Sequence, residues 1–173
     1  MNETVRVLKE RRSIRKYKDI QITEEELNNI LECGMYAPSG KNKQSSLIVV
    51  IQDKELISKI AKINASFVNK EGLNPFYDAP TLVIVFGDKN ISTYIQDGSA
   101  VITNMINAAY SIGVSSCWIH RAKETFETEE GKELMKEWNI PSNYEGIGNC
   151  VLGYADCEIP KPFKRKDNYV IRI

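Results

Sequence analysis

The apolar positions fall into two kinds of short run. Leu27, Ile30, Leu31 and Met35 recur at three- and four-residue spacing and predict one face of a helix. Thr23-Glu24-Glu25-Glu26, just before them, reads as a capping box, with a hydroxyl for a free amide and a carboxylate reaching back. Gly34 to Pro38 should end that helix. Val5 and Leu8 predict a shorter helix from Met1 to about Glu10, and Leu56, Ile57 and Ile60 predict another behind Asp53 as its cap. The most apolar helix is expected from Asp97 to Ile112, with Val101, Met105, Ala108 and Ile112 on its inner face and Gly113 as its stop. Residues 129–138 predict an acidic amphipathic helix with Leu134 and Trp138 inward.

The second kind of run is continuous and rich in β-branched residues. Ser46–Ile51, Thr81–Phe86, Val114–Ile119 and Ile147–Tyr154 predict four buried strands. Residues 64–78 have no period and predict a loop or lid, with Phe67, Phe76 and Tyr77 either shaping a pocket or anchoring the loop. Residues 156–173 predict a basic, Pro-containing tail whose strand-like end, YVIRI, has little to pack on unless a partner subunit covers it. Helices followed by strands with helices between them predict an α+β fold, a mixed sheet with helices packed on it. With no repeat or evident linker, residues 1–173 are expected to be a single domain.

Composition narrows the function. The chain is 42% hydrophobic and 27% charged, ordinary values for a globular protein. Lys+Arg and Asp+Glu are equal at 23 each, which argues against a nucleic-acid partner. No apolar run approaches the roughly 18–20 residues of a membrane helix, and the start of the chain has no apolar signal-peptide core. No membrane partner is expected. The four cysteines form no C-x-x-C pair, so reduced thiols in a cytoplasmic protein are expected, and no metal site. The one histidine, His120, leaves little material for a histidine-based nucleophile or metal centre. If the chain is an enzyme, a bound cofactor carries the chemistry.

Charge is uneven along the chain. Residues 1–20 hold seven basic and three acidic side chains, a local excess that suits a small anion. Within it, Arg11, Ser13 and Arg15 of RRSIR would project together from an extended stretch, and the guanidinium fork suits phosphate oxygens. A solvated basic turn would look the same. Pro38-Ser39-Gly40-Lys41-Asn42-Lys43-Gln44, between a helix and a strand, lets backbone approach a flat ligand and offers amides to a heteroaromatic edge, or is an ordinary loop. A strand ends in Trp118-Ile119-His120, where ligands of α/β proteins often sit, and KPFKRK adds a basic patch to the tail. No complete G-x-G-x-x-G follows a strand and no P-loop motif occurs, so the dinucleotide-fold and P-loop readings fail.

Taken in order, RRSIRKY, APSGKNKQ, GVSSCWIHRAKE and VLGYADCEIPKPFKRK resemble the nitroreductase family of flavoproteins over nearly the whole chain. That resemblance implies an intertwined homodimer with FMN at its interface. It implies that Arg11, Arg12 and Ser13 hold the FMN phosphate and that Arg15 lies near the pyrimidine edge of the ring. Lys164 and Arg165 match a C-terminal basic pair that closes on the phosphate. Pro38, Ser39, Gly40, Asn42 and Gln44 match the loop that reaches the flavin of the partner subunit. Ile119 and His120 match a strand end whose backbone lies near ring N5, and Asn74 falls near a flavin-contacting loop position. The implied activity is transfer of a hydride from NADH or NADPH, through the flavin, to a small electron-poor acceptor such as a nitroaromatic or quinone, in a ping-pong cycle with no catalytic side chain. Dehalogenase- or dehydrogenase-type chemistry on the same scaffold, or a non-catalytic FMN-binding redox module, are the alternatives.

Overall fold

The structure, a computed structural model, describes residues 1–68, 70 and 72–173. Its centre is an antiparallel sheet of β1 (Ser46–Ile51), β2 (Thr81–Asp88), β3 (Ser115–Ile119) and β4 (Tyr144–Gly153), in the order β1-β2-β4-β3. Leu47 lies opposite Phe86, Val83 opposite Cys150 and Ser116 opposite Leu152. The β2–β4 register shifts between Val85 and Phe86, which face Gly148 and Gly146. This fold is α+β, as expected.

Helices cover both faces. On one side α3 (Lys54–Ala65), α5 (Ala122–Glu127) and α6 (Glu129–Glu137) pack Ile57, Ile60, Phe126 and Leu134 against Leu82, Ile84, Phe86 and Val151. On the other, α2 (Glu24–Met35) and α4 (Tyr94–Ser111) pack Leu27, Ile30, Ile102 and Met105 against Val83, Val85, Cys150 and Leu152. α1 (Glu3–Glu10) lies apart from the sheet and contacts α4.

The local signals explain most boundaries. The Thr23–Glu26 capping box forms in full, and Asp53 accepts the Leu56 amide to start α3. Gly113, at φ 86°, turns the chain out of α4 in a conformation that favours glycine. Trp138 stacks near Phe126, which in turn meets the Phe86 ring at 4.9 Å.

Several expectations change. β1 is an edge strand with only Ile51 buried, because a hydropathic run cannot distinguish an edge from a centre. α4 starts at Tyr94, and its buried face is Gly98, Val101, Ile102, Met105, Ile106 and Ala109, while Ile112 is exposed. In α1 the buried residue is Val7; Val5 and Leu8 face outward. α5 follows a left-handed Arg121 and has too few apolar residues to announce itself. In the 64–78 segment, α3 continues to Ala65 and Phe76 is fully buried as an anchor; Asn69 and Glu71 lie outside the described residues. The tail beyond Asp156 is exposed and forms no strand within this chain, leaving Phe163, Tyr169 and Ile171 uncovered. No helix among the described residues is long and apolar enough to cross a membrane.

Candidate functional site

The RRSIR segment runs along the outer edge of β3. The Ile14 amide donates to the Ser116 carbonyl at 3.0 Å, making a parallel bridge between Ser13 and Ser116. Three residues on, Tyr17 bridges to Ala155, past the end of β4, and Lys18 donates to the Tyr154 carbonyl. The Tyr17 hydroxyl donates back to the Ile14 carbonyl at 2.7 Å, and burial raises the phenol's pKa. This basic segment is therefore backbone-anchored at both ends.

Ser13 lies beside Ser116, next in sequence to the buried thiol of Cys117. Burial pushes that thiol up from its ordinary pKa, and Arg15, the Ser13 hydroxyl and Arg11 pull it back without cancelling the shift. Arg11 is half-buried, and its pKa is lowered by burial first and by the neighbouring Arg12 charge second. Arg12 turns into a different crevice, with Ile14, Tyr110, Val114, Ser116 and Ile159. There Nη1 donates to the Arg11 carbonyl, while Nε and Nη2 are buried without a partner, as is the Ser116 hydroxyl. None of the three arginines makes an ion pair among the described residues. Buried polar donors without acceptors are costly, so this arrangement fits a negatively charged group brought from outside the chain.

The strand end after β3 is held from two sides. The His120 carbonyl accepts from Asn64 Nδ2 at 2.9 Å and Asn149 Nδ2 at 3.4 Å, and Asn64 also donates to the Thr125 hydroxyl at 3.1 Å. Both asparagines are fully buried, and both amide oxygens lack partners. Immediately afterwards Arg121 adopts φ 70°. The two amides thus fix the backbone where Ile119 is buried and the His120 side chain is exposed.

The Pro38–Gln44 loop lies elsewhere. It contains a single 3-10 turn, and Lys41, Asn42 and Gln44 have φ of 53°, 54° and 49°. Ser39 Oγ accepts the Gln44 amide at 3.0 Å, and Gln44 Nε2 donates to Asn42 Oδ1 at 3.3 Å. The loop leads into Ser46, opposite Gly87, at the start of β1. Ser13, by contrast, sits beside Ser116, which faces Leu152, which in turn faces Thr81 near the opposite end of the sheet. β1 and β3 are the two outer strands, about 14 Å apart at the usual strand spacing. The loop and the arginine segment therefore occupy diagonally opposed corners of one sheet.

Other expected positions do not converge on these. Lys164 pairs with Asp167 at 2.9 Å on the exposed tail, and Arg165 is exposed beside it. Asn74 spends its amide on its own turn, donating to Asp78 and accepting the Phe76 amide. A cavity of about 640 Å³ between α5, α6 and the start of β4 touches none of these residues. A cavity of about 320 Å³ is walled by Pro38, Ser39 and Gln44 together with Ser46 and Asp97, and the Ser46 hydroxyl is buried without a partner. Asp97, Asn64, Asn149 and Ser46 were not marked by sequence reasoning. Their signal was a polar residue interrupting an otherwise apolar helix or strand.

The sequence pattern of the nitroreductase family matches residues 8–154. A protein of Archaeoglobus fulgidus, whose provisional name is NADH dehydrogenase/NAD(P)H nitroreductase, is 31% identical over 97% of this chain and 93% of its own length. The Bacillus subtilis protein named FMN reductase [NAD(P)H] is 35% identical over 94% of this chain and 70% of its own. Among solved structures, a nitroreductase with bound FMN from Bacteroides fragilis superposes over 100% of both chains with a TM-score of 0.91 at 28% identity. The chain belongs to the nitroreductase family.

Proposed function

We propose that the chain is an FMN-dependent NAD(P)H oxidoreductase that works as a homodimer. The observation that carries this is the Arg11–Arg15 segment: a hydroxyl and three guanidiniums anchored on a strand edge, the guanidiniums without an ion pair among the described residues. A phosphate monoester brings nearly two negative charges and three acceptor oxygens, which matches that need. FMN held there would supply the redox chemistry between NADH or NADPH and an electron-poor acceptor, for which a nitroaromatic or quinone is proposed in a ping-pong cycle.

The chain's residues bind and orient. Arg11 and Ser13 hold the phosphate; Arg12, turned into the crevice beside Tyr110 and Val114, joins them only by swinging out of it, and Lys164 and Arg165 are brought in by the tail. Arg15 faces the pyrimidine edge, where its fixed positive charge favours negative charge on the ring and raises the potential. The backbone at Ile119 and His120, held by Asn64 and Asn149, supports the reacting edge. Asn74 is kept as a flavin-contacting residue, which requires its amide to leave the bond to Asp78. No side chain acts as acid, base or nucleophile, and no metal takes part.

The opposed corners support dimerisation if both segments serve a flavin. One ligand cannot meet both the arginine segment and the Pro38–Gln44 loop of the same chain. A second chain placed by a two-fold axis brings Pro38, Ser39, Gly40, Asn42 and Gln44 to its partner's flavin. The exposed apolar tail, and the edge strand β1 with its unpaired outer side, supply surface for that contact. The single-domain reading over residues 1–173 is kept, and the free thiols suit a reducing, cytoplasmic setting. Binding of FMN to Arg15→Ala and to the wild type, followed by flavin fluorescence, tests the site. Unchanged affinity and unchanged potential in the variant would remove Arg15 from it.

A further inference from the structure

We propose that Asp97 is a positioning residue that acts in trans: it sets the shape of the Pro38–Gln44 loop that one protomer presents to its partner's flavin. The inference rests on the functional reading above. Asp97 sits in the first turn of α4 and is buried, at 5% exposure. Both carboxylate oxygens are engaged. Oδ1 accepts the Gly40 amide at 2.9 Å; Oδ2 accepts the Ser45 hydroxyl at 2.8 Å and the Thr93 hydroxyl at 3.0 Å. Burial raises its pKa, but these three donors outweigh burial and hold it below the ordinary aspartate value, so it is charged at neutral pH. A charged group this deep is expensive unless it organises something.

What it organises is the loop. Lys41, Asn42 and Gln44 all occupy the left-handed region, which L-residues adopt at a cost. The bonds within the loop, from Gln44 to Ser39 and Asn42, tie it only to itself. Asp97 is a side-chain anchor from outside the loop: it grips Gly40 within it and Ser45 just after it, whose carbonyl also accepts the Asp88 amide. The fit is close at Gly40, where an added Cβ would collide with the Thr93 side chain. The same carboxylate, with Pro38, Ser39 and Gln44, walls the cavity beside the loop. Because the loop lies at the corner remote from Arg11 and Ser13, whatever Asp97 does for a flavin it does for the flavin held by the other chain's arginines.

The test uses full-length dimers. Asp97→Ala is expected to raise the FMN Kd at least about tenfold, whereas Asp97→Asn keeps an acceptor for Gly40 and is expected to stay within about threefold of the wild type. Asp53→Ala is the control: it removes another carboxylate hydrogen bond, the α3 N-cap on the Leu56 amide, past the end of β1 remote from the loop. It is expected to lower the Tm while leaving the FMN Kd unchanged. Wild-type affinity in Asp97→Ala would overturn the assignment. A wild-type chain that binds no FMN would instead overturn the functional reading itself.

Complementation separates trans from cis. Differently tagged Arg11→Ala and Asp97→Ala chains are co-expressed and the heterodimer is isolated. Acting in trans, Asp97 leaves one heterodimer site with both an intact arginine segment and an intact loop, so about one FMN per dimer binds at wild-type affinity. Acting in cis, it leaves both sites damaged and no tight site appears, which would contradict the proposal. The heterodimer readout stands even if the Asp97→Ala homodimer is unstable, provided the mixed dimer forms; Ser45→Ala combined with Thr93→Ala, which strips Oδ2 of its two donors, replaces Asp97→Ala if it does not.

Discussion

Arg11→Met should weaken cofactor binding without weakening the fold. The guanidinium is half-buried and faces the Arg12 charge, and both effects lower its pKa. It makes no ion pair among the described residues, so the apo protein gains little from the charge. Methionine keeps the apolar stem. The apo Tm should therefore equal or exceed that of the wild type. A hydrogen bond to a charged group contributes about 1.5–3 kcal/mol, so losing Arg11 from the phosphate should raise the Kd roughly ten- to a hundredfold. The consequence can be read by thermal shift. At a free FMN concentration of about 100 times the wild-type Kd, binding stabilises the wild type by about 2.7 kcal/mol; for the variant at the same concentration the gain falls to about 1.4 kcal/mol or to about 0.4 kcal/mol. For a chain of this size each kcal/mol moves the Tm by about 2–4 °C, so the difference is several degrees. An apo Tm lowered by several degrees with an undiminished FMN shift would refute the reasoning, because it would make Arg11 a structural residue.

Further outcomes follow from the same geometry. Asn64→Ala removes two buried hydrogen bonds and leaves the His120 carbonyl to Asn149 alone; a loss of about 2–3 kcal/mol is expected in denaturant unfolding, and a variant as stable as the wild type would contradict the clamp. Cys117 and Cys150 are buried, with pKa values raised chiefly by burial, so a thiol reagent at neutral pH should reach neither before unfolding, whereas the exposed Cys33 and Cys157 should react at once. Asp97 and Glu145 both have lowered folded pKa values, the first through Gly40, Ser45 and Thr93 and the second through Lys123 and Tyr94, each against an opposing effect of burial. Their stabilisation is present above the unfolded carboxylate pKa and is lost as pH falls through the lower folded values; Asp97→Asn and Glu145→Gln should therefore flatten the acid limb of the stability profile below about pH 4, and an unchanged limb would count against both networks.

The elements with strong local chemistry were legible in the sequence. The Thr23–Glu26 box, the Asp53 cap and the β-branched runs set boundaries by short-range physics. What depends on neighbours was not. Nothing in SLIVVI distinguishes an edge strand from a central one, and AKETFE is too short to show a period. Alternation along an extended stretch predicts that Arg11, Ser13 and Arg15 share a side, and all three act on the pKa of the Cys117 thiol. The same rule gave no destination for Arg12, which depends on the crevice beneath Tyr110 and Val114. Asp97 read as the start of a helix; its bonds to Gly40 and Ser45 span more than fifty residues and exist only once the loop has folded onto α4. The pairing of one chain's arginines with another chain's loop is what the family resemblance implies; strand order adds the geometric argument, by setting the two at opposite corners of the sheet.

The central claim is tested most directly by the visible spectrum of the purified protein, identification of the flavin it releases, and anaerobic addition of NADPH or NADH. The account predicts a flavin band, FMN on release, and bleaching by one of the two nucleotides. Bound FMN that neither nucleotide bleaches would contradict the oxidoreductase reading and leave a flavin-binding module. A colourless protein that takes up no added FMN would contradict the cofactor as well.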